Sequence, residues 1–319
     1  MQSQNFMIVD DPLCLDRIRN ILIRLEDTII FSLIERAQFA HNPRIYQRGA
    51  FQEIRSLGFE GSWMEWFLRE IESFHAKARR YSSPDETPFS RDLPEPVLPP
   101  LPFPNILYPN NINANPSILS FYTRYFVPRL TRRATLALAR KKRANGIMGD
   151  EEFEDDGNYG SAATIDVEIL QYISKRVHYG KFVSESKFQA DPAAFIPHIL
   201  NPNRTALEAL ITKPEVERKL LQRLHRKACT YAQDLTTEVE ILTSSSPIDS
   251  PSTSSLLSTG PPLPHLSKDR KLDVDGVVEL YEEYIIPLTK EVEVDYLLRR
   301  LDGLSKDEID TLAARKKAH

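Results

Sequence analysis

Apolar residues recur at steps of three and four along most of this chain, which is the period of one helical face. The longest such stretch covers residues 13–40, where an apolar residue returns at almost every turn. The other periodic stretches are residues 62–81, 118–140, 161–189, 214–230 and 274–301. No stretch clearly alternates apolar and polar residues as a half-buried strand does. The pattern predicts an all-α fold, a single large helical bundle domain over residues 1–319.

Prolines mark where this helical pattern is interrupted. The chain has 23 prolines and only 11 glycines, and most of the prolines lie outside the periodic stretches. Pro128 and Pro287 lie inside two of them, where a missing N–H predicts a break or a bend. Residues 243–267 are almost all Ser, Thr, Pro and Leu, a composition that cannot pack a core. We therefore expect a disordered, low-complexity insertion loop over residues 235–270.

Two local expectations concern helix ends and faces. Thr212 is placed to cap the helix at 214–230, with Glu215 three residues later completing a capping box. The helix predicted at 62–81 is expected to carry on its apolar side Trp63, Trp66, Phe67, Ile71 and Phe74.

Composition and charge limit the classes of function. Hydrophobic residues make up 41% and charged residues 27% of the 319 residues, as in ordinary globular proteins. The formal charge of −4 does not favour a nucleic-acid partner. Cys14 and Cys229 are the only cysteines, so no disulfide framework is implied and a reducing, cytoplasmic location fits. The first residues resemble neither a secretory signal nor a transit peptide, and no apolar stretch is long enough to span a membrane.

The familiar motifs of enzyme chemistry are absent from the sequence. There is no phosphate-binding glycine loop, no zinc-protease motif and no serine-hydrolase elbow. The seven histidines lack metal-ligand spacing, so we expect no metal site. A basic run at 129–143 could contact the phosphates of a nucleic acid. Acidic residues follow it and no aromatic residues interrupt it, so a solvated helix face is the favoured interpretation.

Several charged residues lie close to apolar helix faces. Arg176 and Lys187 are 11 residues apart, about three helical turns, and therefore share a face. Thr289 and Glu293 are four residues apart and also share a face. Arg19 lies beside the apolar stripe of the first helix. Taken singly, each cation is more often a surface residue whose charged end reaches water.

Five blocks of sequence resemble the chorismate mutases of fungi and plants. They are RIRNILIRLEDTIIFSLIERAQFA near the start, SPDETPF at 83–89, YGSAATIDVEILQYISKRVHYGKFVSESKFQ at 159–189, PEVERKLLQRL at 214–224 and IIPLTKEVEVDYLLRRL at 285–301. The similarity covers nearly all of the chain except residues 235–270. It implies a homodimeric, all-helical enzyme that rearranges chorismate to prephenate without a cofactor, in the biosynthesis of phenylalanine and tyrosine.

The resemblance implies that four residues bind the carboxylates of the substrate. Arg19 and Arg176 match the arginines that bind this dianion, a task suited to the two-pronged guanidinium group. Lys187 matches a lysine that contacts a carboxylate and the ether oxygen. Thr289 matches a threonine that supports a carboxylate.

Two glutamates complete the implied site. Glu293 matches a glutamate that donates to the ether oxygen and must therefore be protonated, and Glu217 matches one that holds the ring hydroxyl. Lys213, four residues before Glu217, stands where the family often has Asn, so it is not assigned to the site. All six assigned positions hold the expected residue types. This argues against the rival hypothesis, a non-enzymatic helical scaffold with a degenerate site.

The resemblance also implies regulation, with inhibition by tyrosine and activation by tryptophan at the interface of the two subunits. The matching residues are Arg79, Arg80, Asn158, Gly160, Ser161 and Thr164. Gly160 and Ser161 are expected at a helix N-terminus, where free N–H groups and the helix dipole favour a carboxylate. The alternative for Arg79 and Arg80 is a structural role, because basic residues favour a helix C-terminus.

Overall fold

The computed structural model describes residues 11–99, 101, 103–233 and 271–314, and none of these residues forms a strand. The α-helices are α1 Leu15–Arg36, α2 Gln52–Ser56, α3 Trp63–Lys77, α4 Asn115–Phe121, α5 Val127–Leu130, α6 Arg132–Ala144, α7 Tyr159–His178, α8 Gly180–Ala190, α9 Pro192–Leu200, α10 Arg204–Ile211, α11 Pro214–Tyr231, α12 Val274–Glu279, α13 Ile286–Leu298 and α14 Lys306–Ala313. The all-α prediction is confirmed. The predicted insertion at 235–270 lies outside the described residues, and the domain bounds stay a prediction. None of the described helices combines the length and the apolar character needed to cross a membrane.

Both prolines inside the predicted helices lie just after a π-helical turn. One such turn, Tyr122–Phe126, ends two residues before Pro128, and the other, Leu280–Ile285, ends two residues before Pro287. Proline lacks the N–H that a regular α-helix uses, and a wider turn changes which carbonyl would need that N–H. The backbone stays helical on both sides of Pro128, and α5 then ends at Leu130. The break predicted near Pro128 lies at Thr131, three residues after the proline, where α5 gives way to α6.

The central layer of the bundle is formed by α1, α7, α8 and α13. Helix α1 packs along α7, and α13 packs against both α7 and α8. The largest apolar cluster joins Ile29 and Leu33 of α1 to Ile173 and Val177 of α7, and it extends to Tyr281 before α13. All five side chains are fully buried. This layer supplies most of the helices that surround the site described below.

Ion pairs to two buried carboxylates connect neighbouring parts of the bundle. The Glu26 carboxylate of α1 accepts two hydrogen bonds from Arg223 of α11, at 2.6 and 2.9 Å. Lys227, one turn further along α11, lies 3.3 Å from the same carboxylate. On the other side, Glu185 of α8 is bound by Arg300, which follows α13, at 2.6 and 3.0 Å. Each pair joins two helices that form the walls of one cavity.

The apolar face of α3 agrees with the prediction only in part. The predicted side chains that pack against the largest apolar cluster are Trp63, Phe67 and Ile71. Phe74 is 70% exposed, however, and the most deeply buried residues of the helix are Met64, Leu68 and Glu72. The Glu72 carboxylate accepts the backbone N–H groups of Phe89 and Ser90 at 2.9 and 2.7 Å. A polar residue can therefore occupy the inner face because its acceptors are satisfied by a loop. Sequence periodicity could not anticipate that distant contact.

The capping box predicted at Thr212 and Glu215 is wrong. The helix begins at Pro214 with Lys213 as its N-cap residue, and no side chain caps it. Proline at the first helical position restricts the residue before it to extended conformations, so the helix starts one residue later than expected. Thr212 Oγ1 is buried and has no hydrogen-bond partner among the described residues.

Candidate active site

A cavity of about 220 Å³ lies between α1, α7, α8, α11 and α13, beside the link from α10 to α11. Its apolar wall includes Ile18, Leu22, Val183, Leu220 and Ile286. The six residues that the sequence assigns to a substrate all line this cavity, namely Arg19, Arg176, Lys187, Glu217, Thr289 and Glu293. They come from five helices, and only the fold brings them together.

Arg176 lies deep in the cavity with most of its hydrogen-bonding capacity unused. The side chain is buried near the end of α7, and Nη1 lies 3.4 Å from Thr289 Oγ1. The Thr289 hydroxyl donates to the carbonyl of Ile285 at 2.6 Å, so its oxygen can accept from the guanidinium. Among the described residues, Arg176 has no ion-pair partner and its Nε has no hydrogen-bond partner. A buried guanidinium with free donors suits an anionic ligand.

Lys187 is the second cation inside the cavity. Its Nζ donates to the carbonyl oxygen of Ile211. Burial lowers its pKa, Glu293 opposes this effect, and the positive charges of Lys213 and Arg19 lower the pKa further. Several cations therefore share one partly buried region with too few anions to neutralise them.

Glu293 is the carboxyl group at the base of the cavity. It is only 8% exposed. Burial raises its pKa to about 7, although the positive charges of Lys187 and Arg176 act in the opposite direction. A substantial fraction of this group is protonated near neutral pH. It can therefore donate a hydrogen bond to an oxygen that gains negative charge.

Gly180 allows α8 to approach α13 closely beside Glu293. A Cβ atom at this position would lie 2.8 Å from Glu293 Cγ and 3.1 Å from the Thr289 carbonyl oxygen. One turn further along α8, Ser184 Oγ donates to the Glu293 carbonyl oxygen at 3.0 Å. The close approach and this hydrogen bond fix Glu293 against α8. Gly180 was not assigned from the sequence, although it lies inside the GKFVSESKFQ block that carries part of the family resemblance.

Arg19 and Glu217 lie nearer the rim of the cavity. The Arg19 side chain is 60% exposed and forms an ion pair with Asp16 at 2.7 Å, one turn earlier on α1. Glu217 is partly buried, and its Oε1 lies 3.0 Å from Lys290 Nζ. Both side chains can reach a molecule in the cavity while keeping contact with water.

Positive charge dominates the lining. Two carboxyl groups, Glu217 and Glu293, face five cations, which are Arg19, Arg176, Lys187, Lys213 and Lys290. Because Glu293 is partly neutral, the imbalance favours a ligand with more than one negative charge. Lys213 and Lys290 were not assigned from the sequence. Lys290 directly follows Thr289, which was the one available hint. No group of three or more His, Cys, Asp or Glu among the described residues could hold a metal ion.

The basic run at 129–143 forms contacts within the chain. Arg129 pairs with Asp273 at 2.9 Å and with Glu279, and Arg143 pairs with Glu152 at 2.6 Å. These carboxylates reduce the positive charge that a phosphate backbone would meet.

The six candidate effector residues form two separate groups in one chain. Asn158 is the N-cap residue of α7, and the exposed residues Gly160, Ser161 and Thr164 follow in its first turns. The expectation that Gly160 and Ser161 lie at a helix N-terminus is confirmed.

The second group lies at the end of α3. Arg79 Nη1 donates to the Pro99 carbonyl oxygen at 2.9 Å. Arg80 donates to Gln171 Oε1 at 2.7 Å and pairs with Glu86 at 3.1 Å. Gln171 lies 11 residues after Gly160 on α7, which corresponds to about 16 Å along the helix. The two groups are therefore apart within one chain.

Comparison with known proteins relates the chain to one family. The family described as chorismate mutase type II matches residues 158–294, which include five of the six cavity residues assigned above. Chorismate mutase 1 of maize (Zea mays) is 42% identical over 293 residues, which cover 91% of this chain and 80% of the maize protein. The chain belongs to the chorismate mutase family. It is accordingly an enzyme that rearranges chorismate to prephenate.

Solved chorismate mutase structures share the fold. Aro7p chorismate mutase from Candida albicans, in complex with L-Trp, is 36% identical, with a TM-score of 0.73 over 93% of this chain and 95% of that one. AtCM1 with tyrosine bound in its allosteric site is 40% identical, with a TM-score of 0.67 over 90% of this chain and 96% of that one. Both similarities extend over almost the entire mutase chain.

Proposed function

We propose that chorismate binds in the cavity and rearranges there, with Arg19, Arg176, Lys187, Glu217, Thr289 and Glu293 as the residues that contact it. The observation that carries this proposal is the cavity lining, in which five cations face two carboxyl groups. Chorismate carries two carboxylates and an ether oxygen. These groups require the kind of donors that the lining supplies.

The reaction makes limited demands on the protein. The ether C–O bond breaks while a new C–C bond forms, and no atom leaves or joins the molecule. No nucleophile and no external electron source are required. The protein must fold the substrate side chain over the ring, which is an orientation effect, and stabilise negative charge on the ether oxygen.

Cations hold the substrate in the reactive conformation. Arg176 binds one carboxylate at the buried end of the cavity, where its free N–H donors replace water. Thr289 lies within reach of the same carboxylate. Arg19 at the rim exchanges its exposed partner Asp16 for the second carboxylate. Breaking the Arg19–Asp16 pair costs little free energy, because exposed ion pairs contribute only about 0–1 kcal/mol to stability.

Lys187 and Glu293 stabilise the transition state. Both groups face the ether oxygen in this proposal, and each preorganised donor is typically worth about 3 kcal/mol. The Glu293 carboxyl group donates only while protonated, which its raised pKa of about 7 allows. Glu217 accepts the hydrogen of the ring hydroxyl.

We further propose that tyrosine inhibits this enzyme and that tryptophan activates it. The solved relatives support it, since AtCM1 binds tyrosine in an allosteric site and the Candida enzyme forms a complex with L-Trp. The exposed N-terminus of α7 at Gly160 and Ser161 offers free N–H groups to the effector carboxylate. Arg80 provides a positive charge for the same carboxylate.

We also propose that the enzyme is a homodimer. Arg80 contacts α7 about three turns away from Gly160, so one chain cannot place both on a single amino acid. A second copy can supply the missing arginine. Exposed apolar side chains beside Arg79, namely Phe74, Val97 and Leu98, give that copy a surface to cover.

The cytoplasm is the location that we propose. Cys14 and Cys229 are both free in the structure, as expected for a protein of a reducing compartment. Fractionation of cells that express the tagged chain would reveal an organellar location if this is wrong.

One assay tests both parts of the function. The absorbance of chorismate should fall after the enzyme is added. The rate of this fall should be lower in the presence of tyrosine and higher in the presence of tryptophan. The Arg80→Ala variant should keep its basal activity and lose the tyrosine response. Unchanged chorismate would refute the catalytic proposal. Tyrosine inhibition that persists in the Arg80 variant would refute the effector site alone.

A further inference from the structure

Lys290 contacts one of the proposed substrate-binding residues from inside the cavity. It lies on α13, one residue after Thr289 and three before Glu293, and its side chain lines the same cavity. Its Nζ lies 3.0 Å from Glu217 Oε1 on α11 and 3.6 Å from Glu208 Oε1 on α10. One ammonium group therefore joins three helices at the cavity wall.

The surroundings of this pair distinguish it from an ordinary surface ion pair. The Lys290 side chain is 25% exposed and that of Glu217 is 31% exposed. Attraction between charges is stronger in a partly buried site than in water, because less solvent screens it. The contact is short enough to fix one oxygen of Glu217 and to leave the other free for the cavity.

Glu217 needs such a partner for the role proposed above. A glutamate side chain has several rotatable bonds, and an exposed carboxylate without a partner samples many rotamers. An acceptor for the substrate hydroxyl must point in one direction before the substrate arrives. The 3.0 Å contact with the Lys290 ammonium restricts the Glu217 carboxylate to such a direction.

We propose that Lys290 is a positioning residue for the rearrangement, which holds the Glu217 carboxylate toward the cavity so that it can accept the ring hydroxyl of chorismate. This inference rests on the proposed function, because it acts through a residue assigned there to the substrate. It adds to the site a residue that never needs to touch the reacting atoms.

The Lys290→Met variant removes the charge and keeps a side chain of similar length. Its KM for chorismate should rise roughly tenfold with a smaller change in kcat, because Glu217 binds the hydroxyl in both the ground state and the transition state. Lys290→Arg should restore most of the lost affinity. The matched control is Lys219→Met, since Lys219 pairs with Glu215 on α11 at the same 3.0 Å but both side chains are 66% exposed. That control should leave KM unchanged.

A double-mutant cycle separates positioning from a structural role. In a Glu217→Gln background, Lys290→Met should change kcat/KM by less than about twofold, because the interaction it disrupts is already lost. An equal loss in both backgrounds, or no loss in the parent background, would overturn the proposal. A parent enzyme without activity on chorismate would instead refute the function itself. Far-UV helicity and thermal midpoints of all variants identify any that fail to fold.

Discussion

Helix α7 buries two charged side chains, Asp166 in its first half and Arg176 near its end, in contrasting surroundings. Asp166 accepts hydrogen bonds from Arg36 Nε and from the Tyr122 hydroxyl, each at 2.7 Å, and another from the Tyr46 hydroxyl. Neither side chain of the Asp166–Arg36 pair is exposed. Arg176 makes one long hydrogen bond and leaves its Nε without a partner among the described residues.

This difference separates charges that hold the fold from charges that await a ligand. A buried polar group without a partner costs about 1–3 kcal/mol, so natural proteins keep few of them. In the Asp166 cluster, other residues of the chain supply the hydrogen-bond partners, so this cost does not arise. Around Arg176 the cost persists until a carboxylate binds, which makes the donors ready for a substrate. We therefore expect mutations in the two regions to affect different properties.

The largest expected effect is the loss of activity in Arg176→Ala. The variant loses a charge-assisted, two-pronged contact with a substrate carboxylate, so kcat/KM should fall by roughly a thousandfold, or about 4 kcal/mol. Its free energy of unfolding should not decrease, because the guanidinium stabilises little in the free protein. Chorismate assays and urea unfolding measure the two quantities. Activity close to that of the parent would remove Arg176 from the site.

The opposite result is expected for Arg36→Met. Removing one partner of a buried ion pair leaves an uncompensated charge on Asp166, which should lower the free energy of unfolding by about 3–4 kcal/mol. The folded fraction should keep kcat/KM within a few-fold of the parent. Arg204→Met is the matched control, since Arg204 pairs with Asp295 at the same 2.7 Å on the surface and should contribute little. Equal destabilisation in both variants would contradict the comparison.

Lys181 is another buried cation, but it does not line the cavity. Burial lowers its pKa from 10.5 to about 8, and it has no ion-pair partner among the described residues. Its folded pKa is depressed, so the charged form destabilises the fold below pH 8, and this penalty disappears as the pH rises toward 10.5. Lys181→Met should therefore stabilise the protein by about 2–3 kcal/mol at pH 7.

The pH dependence of unfolding tests this assignment. The stability difference between Lys181→Met and the parent should shrink steadily above about pH 8. A difference that stays constant up to pH 10 would show that packing, and not charge, explains the effect.

Helical periodicity and local spacing account for much of what was predictable. The period predicted most of the helices, but the single helix predicted over 161–189 is divided at Tyr179 into α7 and α8. Arg176 and Lys187 therefore do not share a face of one helix, and they line the same cavity from two helices. The contacts that were missed join residues far apart in sequence. Lys290 meets Glu217 across two helices, and Glu72 occupies the inner face of α3 because a loop satisfies it. Such contacts exist only after the chain has folded.

In the proposed mechanism, the cavity keeps Glu293 protonated so that it can donate to the ether oxygen. The charged groups that face Glu293 are Lys187 on α8, Arg176 on α7, Glu217 on α11 and Lys290 on its own helix. Burial raises the Glu293 pKa to about 7 against the nearby cations. The active, protonated form is thus present below about pH 7 and is lost above it.

The most direct test is the pH profile of kcat/KM for the parent and for Glu293→Gln. The parent should lose activity above about pH 7, approaching roughly tenfold per pH unit, as Glu293 ionises. Glutamine donates at every pH, so the variant should show no such fall between pH 6 and pH 8. Identical profiles for the two enzymes would contradict the account.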